Sequence, residues 1–194
     1  MTVKVAINGF GRIGRLVLRA IIESKRNDIS VVAINDLGSV AANAHLLSYD
    51  SVHGKLNSKV EVTSSGISTE HGEIKVFSER NPENLPWGDL DVDIALECTG
   101  LFTKKEDANK HVLAGAKKVL ISAPGNGVDY TVVHGVNEKG ITDEHKIVSN
   151  ASCTTNCLAP VAKVLNETVG IESGFMTTVH AFTGDQPVLD TLHS

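Results

Sequence analysis

Val3-Lys4-Val5-Ala6-Ile7-Asn8-Gly9-Phe10-Gly11-Arg12-Ile13-Gly14 is the stretch on which the fold turns. Val3–Asn8 is a nearly continuous apolar run, as expected of a parallel strand covered on both faces. The next six residues match the pattern G-x-G-x-x-G. Residues 12–24 then carry Ile13, Leu16, Val17, Ala20 and Ile21 at the spacing of one helical face. A strand, a glycine turn and a helix in that order give the pattern its meaning.

Gly9 permits the tight turn, Gly11 lets the backbone approach a pyrophosphate, and Gly14 lets the helix pack close to the strand. N–H groups around Arg12 and Ile13 then face the phosphates from the helix N-terminus. The competing interpretation is a tight βα turn with no ligand. A second apolar run, Ile29–Asn35, ends on Asp36, about twenty residues past the last glycine. A carboxylate there accepts a hydrogen bond from a free ribose 2′-hydroxyl and repels a 2′-phosphate. The pair of features points to a dinucleotide, NAD rather than NADP.

The rest of the chain continues the alternation. Residues 41–47 read as helix, and residues 59–77 as short strands with turns at Gly66 and His71-Gly72. Residues 92–98 read as a strand, 104–114 as a helix ended by Gly115, and 118–122 as a strand stopped by Ala123-Pro124. Residues 130–133 and 146–149 add two more strands. Alternation of this kind predicts an α/β fold, a Rossmann-like doubly wound and mostly parallel sheet, over residues 1–150. Residues 151–194 read as the opening of a second, α+β domain: a helix at 153–168, then an alternating strand at 174–182. That strand has no neighbour in the sequence to pair with. The chain is therefore expected to be incomplete.

Composition narrows the function. The chain has 194 residues, with 18 Lys+Arg against 23 Asp+Glu and a formal net charge of −5. A mildly acidic chain with no basic stripe argues against nucleic acid as the main partner. No apolar run approaches the roughly 20 residues that span a bilayer. Aromatics are 4% of the residues, so the core is expected to be aliphatic. The N-terminus reads straight into a strand, without the charged and apolar regions of a signal peptide. Three cysteines, Cys98, Cys153 and Cys157, suit neither a disulfide scaffold nor a zinc finger, and reduced thiols fit the cytoplasm.

The segment 149–157, Ser-Asn-Ala-Ser-Cys-Thr-Thr-Asn-Cys, opens a helix. Cys153 falls near the helix N-terminus, where the dipole favours thiolate. Neighbouring Ser and Thr hydroxyls and free N–H groups can hold an anion or a developing oxyanion. The alternative for both thiols of this helix is a buried structural role, and Cys157 suits it. Cys98, inside an apolar strand, reads as core. A thiol nucleophile needs a base. His180, on the run that follows the helix, is the candidate, and the other seven histidines read as surface or hydrogen-bonded core.

These residues resemble a known family. The run from Val5 to Arg15, the stretch Tyr49-Asp50-Ser51-Val52-His53-Gly54, and residues 149–157 followed by Leu158-Ala159-Pro160 are similar to the phosphorylating glyceraldehyde-3-phosphate dehydrogenases, bacterial members most of all. The likeness covers the whole chain. It implies that Cys153 attacks the aldehyde, that hydride passes to NAD, and that phosphate cleaves the resulting thioester. His180 resembles the histidine that activates the thiol and moves the proton. Ser152, Cys153 and Thr154 resemble part of the substrate and phosphate set, and Thr183 a ligand of the other phosphate, with Asp185 nearby. Gly9, Gly11, Arg12, Ile13, Asp36, Arg80 and Ser122 resemble NAD contacts, and Thr99, Gly100 and Phe102 the adenine pocket wall.

No metal is implied. The partners implied are glyceraldehyde 3-phosphate and inorganic phosphate, in a homotetramer, with neither nucleic acid nor membrane. Two rival readings are a non-catalytic NAD-binding module and an erythrose-4-phosphate dehydrogenase, from which Thr183 leans away. The family's chains continue well past Ser194, so the 194-residue chain alone is expected to be inactive or nearly so.

Overall fold

Alternating apolar runs and helical stretches assemble into a nine-stranded sheet with helices on both faces. The computed structural model describes residues 2–181 and 183. β1 (Val3–Asn8) leads into α1 (Arg12–Glu23), then β2 (Ile29–Asn35) and α2 (Val40–Ser48). A small hairpin follows, β3 (Tyr49–Asp50) with β4 (Gly54–Lys55), then the meander β5 (Glu61–Val62), β6 (Gly66–Thr69) and β7 (Gly72–Phe77). β8 (Ile94–Glu97), α3 (Lys105–Leu113), β9 (Lys118–Ile121), β10 (Tyr130–Thr131), β11 (Ile147–Ser149) and α4 (Cys153–Val169) complete the order.

Across the sheet the strands run β10-β11-β9-β8-β1-β2-β7-β6-β5. Every pair from β10 to β7 is parallel, and β6 and β5 are antiparallel additions at one edge. From β1 the chain moves to β2 on one side, and later returns to β8 on the other. Loops leaving the ends of β1 and β8 therefore part, and a crevice opens between them. This is where a doubly wound sheet binds its ligand.

Strand periodicity decides which residues meet which layer. Val5 and Ile7 of β1 pack with Leu18, Ile21 and Ile22 of α1, Ile34 of β2 and Leu47 of α2. The residue between them, Ala6, faces the opposite layer with Ala33 and Ala95. These three alanines stand side by side, Ala6 opposite Ala33 and Ala95 in register. Their short side chains leave room for Trp87, which is fully buried against them. Burying an indole of this size is worth several kcal/mol, so the aliphatic core expected from composition has an aromatic anchor on this face, and Phe10 is buried in the opposite layer.

Two expectations need correction. The buried side of α1 is Gly14, Leu18, Ile21 and Ile22, whereas Ile13 and Ala20 are exposed. Ile13 sits on the turn end of the helix, away from the layer that the later residues cover. Residues 174–181 form no strand; they are irregular and exposed, Phe175 and Val179 fully so. Alternation alone does not make a strand, because its N–H and C=O groups need a neighbouring ladder. Among the described residues none pairs with this segment. Phe182 lies outside the described residues.

Candidate active site

A cavity of about 370 Å³ opens at the crevice. Asn8, Gly9 and Gly11 enter it from β1, Asn35, Asp36 and Leu37 from β2, and Cys98, Thr99, Leu101 and Phe102 from β8. Glu79 and Arg80, following β7, close the far side. Of the expected cofactor residues it unites Gly9, Gly11, Asp36, Arg80, Thr99 and Phe102. Arg12, Ile13, Gly100 and Ser122 stand outside its wall. Arg12 reaches Asp50 instead, at 3.0 Å. Backbone N–H groups of His53 and Val52, with Arg12 beside them, hold that carboxyl down at about 2. Gly100, at φ +75°, turns the chain between Thr99 and Leu101. Ser122 hydrogen-bonds the Cys98 thiol, which burial pushes up to about 11.

The glycine turn is built as the motif requires. Gly9 has φ +89°, a conformation that side chains rarely adopt. Gly11 has open space where a Cβ would stand. That open cradle at a helix N-terminus fits a pyrophosphate. Asp36 is aimed by three donors: Phe10 N–H at 2.8 Å, Gly38 N–H at 2.8 Å and the Asn43 amide at 3.4 Å. A carboxylate has about four acceptor sites, so capacity remains for a ribose hydroxyl. Sequence reasoning missed Asn8, Asn35, Leu37, Glu79 and Leu101 as lining residues, and Cys98, expected in the core, lines the cavity too. The available signal was two asparagines, each ending an otherwise apolar strand. A larger cleft of about 780 Å³ lies where α1 ends and β2 begins. Its walls combine the C-terminal end of α1 with Thr2, Ser30, Asn57, Glu70 and His71, and it contains none of the expected site residues.

The thiol sits at a separate junction, where β11 passes into α4. Ala151 takes φ +59°, left-handed for a residue with a side chain. Its neighbours hold it there. The buried Ser149 hydroxyl donates to Ala123 O at 2.7 Å and accepts from Gly125 N–H and Ala151 N–H, each at 3.0 Å. The Asn156 amide donates to Asn150 O at 2.7 Å and Ser152 O at 2.9 Å, on either side of Ala151. Ser152 then caps the helix by accepting from Thr155 N–H at 3.0 Å. This clamp sets the direction of α4 and presents Cys153 in its first turn.

His180 Nε2 lies 3.0 Å from Cys153 Sγ. His180 Nδ1 lies 2.5 Å from the Ala181 carbonyl, which can only accept. Nδ1 therefore carries a hydrogen, and Nε2, which faces the sulfur, is the nitrogen placed to take the thiol's proton. The hydrogen bond between the thiol and His180 lowers the Cys153 pKa most, and the N–H and hydroxyl of Thr154 add to it. The expected nucleophile and base are thus brought together, although His180 stands on an irregular segment rather than a strand. Cys157, read as structural, is exposed. Thr183 is exposed, and Asp185 lies outside the described residues. Among the described residues, no cluster of three or more His, Cys, Asp or Glu could hold a metal ion.

Fold and site together define a dinucleotide-binding α/β domain joined to a helix that presents a cysteine to a histidine. Residues 3–105 match the family model described as glyceraldehyde 3-phosphate dehydrogenase, NAD binding domain. Residues 152–194 match the C-terminal domain of the same family. The chain belongs to the glyceraldehyde 3-phosphate dehydrogenase family, and its first domain is that family's NAD-binding domain. It is 66% identical over 193 residues to the glyceraldehyde-3-phosphate dehydrogenase of Xanthobacter flavus, covering all of this chain and 58% of that protein. The corresponding protein of Cereibacter sphaeroides is 61% identical over 193 residues, with all of this chain and 57% of that protein covered. That of Pseudomonas aeruginosa is 57% identical over 194 residues, with all of this chain and 58% of that protein covered. The chain thus spans somewhat more than half the length of these relatives.

Proposed function

We propose that the chain carries the nucleotide site and the nucleophile of an NAD-dependent, phosphorylating glyceraldehyde-3-phosphate dehydrogenase. The observation that carries this reading is the 3.0 Å approach of His180 Nε2 to Cys153 Sγ at a helix N-terminus. Residues 1–150 serve as the nucleotide domain and 151–194 begin the catalytic one. His180 takes the thiol proton, and the thiolate attacks the aldehyde carbon to form a hemithioacetal. Thr154 N–H, already directed at the sulfur, supports the oxyanion. The cavity residues would hold NAD⁺, which would supply the hydride acceptor needed to oxidise the hemithioacetal to a thioester. Inorganic phosphate attacks the thioester, giving 1,3-bisphosphoglycerate and freeing the thiolate.

In this reading Gly9, Gly11, Asp36, Arg80, Thr99 and Phe102 hold the dinucleotide from the cavity wall, with Arg12, Ile13, Gly100 and Ser122 around it. Ser152 and Thr154 flank the reacting sulfur, and Thr183 binds a phosphate. The reading extends to a cytoplasmic homotetramer, in keeping with three free cysteines. Among the described residues no helix is long and apolar enough to cross a membrane.

A chimera tests it. Joined to the C-terminal remainder of the Xanthobacter flavus relative, the chain is expected to reduce NAD⁺ with glyceraldehyde 3-phosphate and phosphate. Cys153→Ser should abolish the reaction, and the chain alone should show little turnover. A chimera that folds and binds NAD⁺ yet leaves this aldehyde untouched would favour the binding-module reading.

A further inference from the structure

Glu97 is a carboxylate buried at the end of β8, 1% exposed, with no role in the chemistry above. Its Oε1 accepts from the N–H of Thr99 at 2.7 Å and from the Thr99 hydroxyl. Its Oε2 accepts from the Asn8 amide at 2.6 Å and faces His111 Nε2 at 3.0 Å. His111 is itself fully buried.

The direction of every bond in this network is fixed from its two ends. The Trp87 indole can only donate, and it donates to His111 Nδ1 at 3.0 Å. His111 therefore carries its hydrogen on Nε2 and donates it to Glu97. At the other end stands the backbone of Glu79. Its N–H donates to Asn35 Oδ1 at 2.8 Å, and its carbonyl accepts from Asn35 Nδ2 at 2.8 Å. Asn35 Nδ2 also donates to Asn8 Oδ1 at 2.7 Å, which turns the Asn8 amide nitrogen toward Glu97. Neither end can reverse, so all donors converge on Glu97 and both its oxygens must accept.

The network's outer members are the cavity wall. Asn8, Asn35, Glu79, Thr99 and Leu101 all line it. Thr99 relays the anchoring outward, since its hydroxyl accepts from Leu101 N–H at 3.0 Å across Gly100. The Phe102 ring meets the His111 ring edge-on. One buried carboxylate thus ties the ends of β1, β2 and β8 to the turn at 99–101.

We propose that Glu97 is a positioning residue for the dinucleotide, acting through Thr99 and Asn8 to hold the cavity wall in its binding shape. The proposal rests on the nucleotide reading of the cavity. Glutamine at this position must aim an N–H₂ at groups that already donate, and the fixed ends forbid the network from turning over.

The test is NAD⁺ titration of the chain by calorimetry, alongside the emission of Trp87, the chain's single tryptophan. The indole belongs to the network, so its emission reads the network itself. In the parent chain NAD⁺ is expected to shift that emission. Glu97→Gln should raise the Kd about tenfold. Glu97→Asp, which keeps a carboxylate but shortens its reach, should raise it less than Glu97→Gln and keep part of the Trp87 response at an unchanged urea midpoint. If Glu97→Gln does not fold, Glu97→Asp decides alone. Folded variants that bind NAD⁺ as the parent does, with the same Trp87 response, would overturn the proposal. Failure of the parent chain to bind NAD⁺ would instead overturn the nucleotide reading beneath it.

Discussion

Gly14→Ala is expected to cost the fold about 3 kcal/mol and to take NAD⁺ binding below detection. A Cβ there would lie 2.2 Å from the Gly9 carbonyl oxygen and 2.9 Å from Ile7 Cγ2. The oxygen is backbone and cannot rotate aside. Moving it means moving Gly9, which already sits at φ +89° with Thr99 N 2.8 Å from its own Cβ position. The insult therefore passes from α1 through the turn to the cavity wall. Gly11→Ala is the informative contrast. Gly11 has φ −67°, and a Cβ would meet nothing within 4 Å. Its fold should be unchanged, yet the methyl would occupy the space where a pyrophosphate approaches, weakening NAD⁺ about tenfold or more. Urea unfolding and calorimetry on both variants separate the roles. A stable, binding Gly14→Ala, or a Gly11→Ala with normal affinity, would contradict the account of the turn.

His180→Ala is expected to slow alkylation of Cys153 near neutral pH by about a hundredfold, the lower end of what a positioned base contributes. The sign follows from the charge. Thiolate is the charged form, and His180 is the largest influence lowering the Cys153 pKa, so thiolate persists to lower pH while His180 is present. Removing the imidazole moves the reactivity profile to higher pH. What remains comes from Thr154 and the helix N-terminus. Both partners are exposed, so added salt should narrow the difference between parent and variant. A variant whose profile overlays the parent's would remove His180 from the mechanism.

The parts of the site that were legible in the sequence are those made by neighbours in the chain. Gly9, Gly11 and Gly14 form one turn, and Asp36 ends the adjacent strand, so spacing alone brings them together. Ser152, Cys153 and Thr154 share one helix start for the same reason. Glu97 was not legible, because its partners Asn8 and His111 come from a different strand and from α3. His111 was read only as a surface or hydrogen-bonded core histidine, and its place under the cavity depends on the strand order. Residues 174–181 failed for the opposite reason. Their alternation is a local property, whereas a strand is a pairing. The buried face of α1 was misjudged because Ile13 is apolar and in phase, but lies beyond the layer that covers the helix.

The most direct measurement is alkylation by iodoacetamide, resolved by cysteine and followed against pH. Cys98 and Cys157 are internal references, one in the cavity wall with its thiol pushed up to about 11, the other one turn along the same exposed helix. The account predicts that Cys153 reacts first and keeps reacting at the lowest pH, with Cys98 last. Equal rates and equal profiles for Cys153 and Cys157 would contradict it, because the helix would then carry two ordinary thiols and no nucleophile.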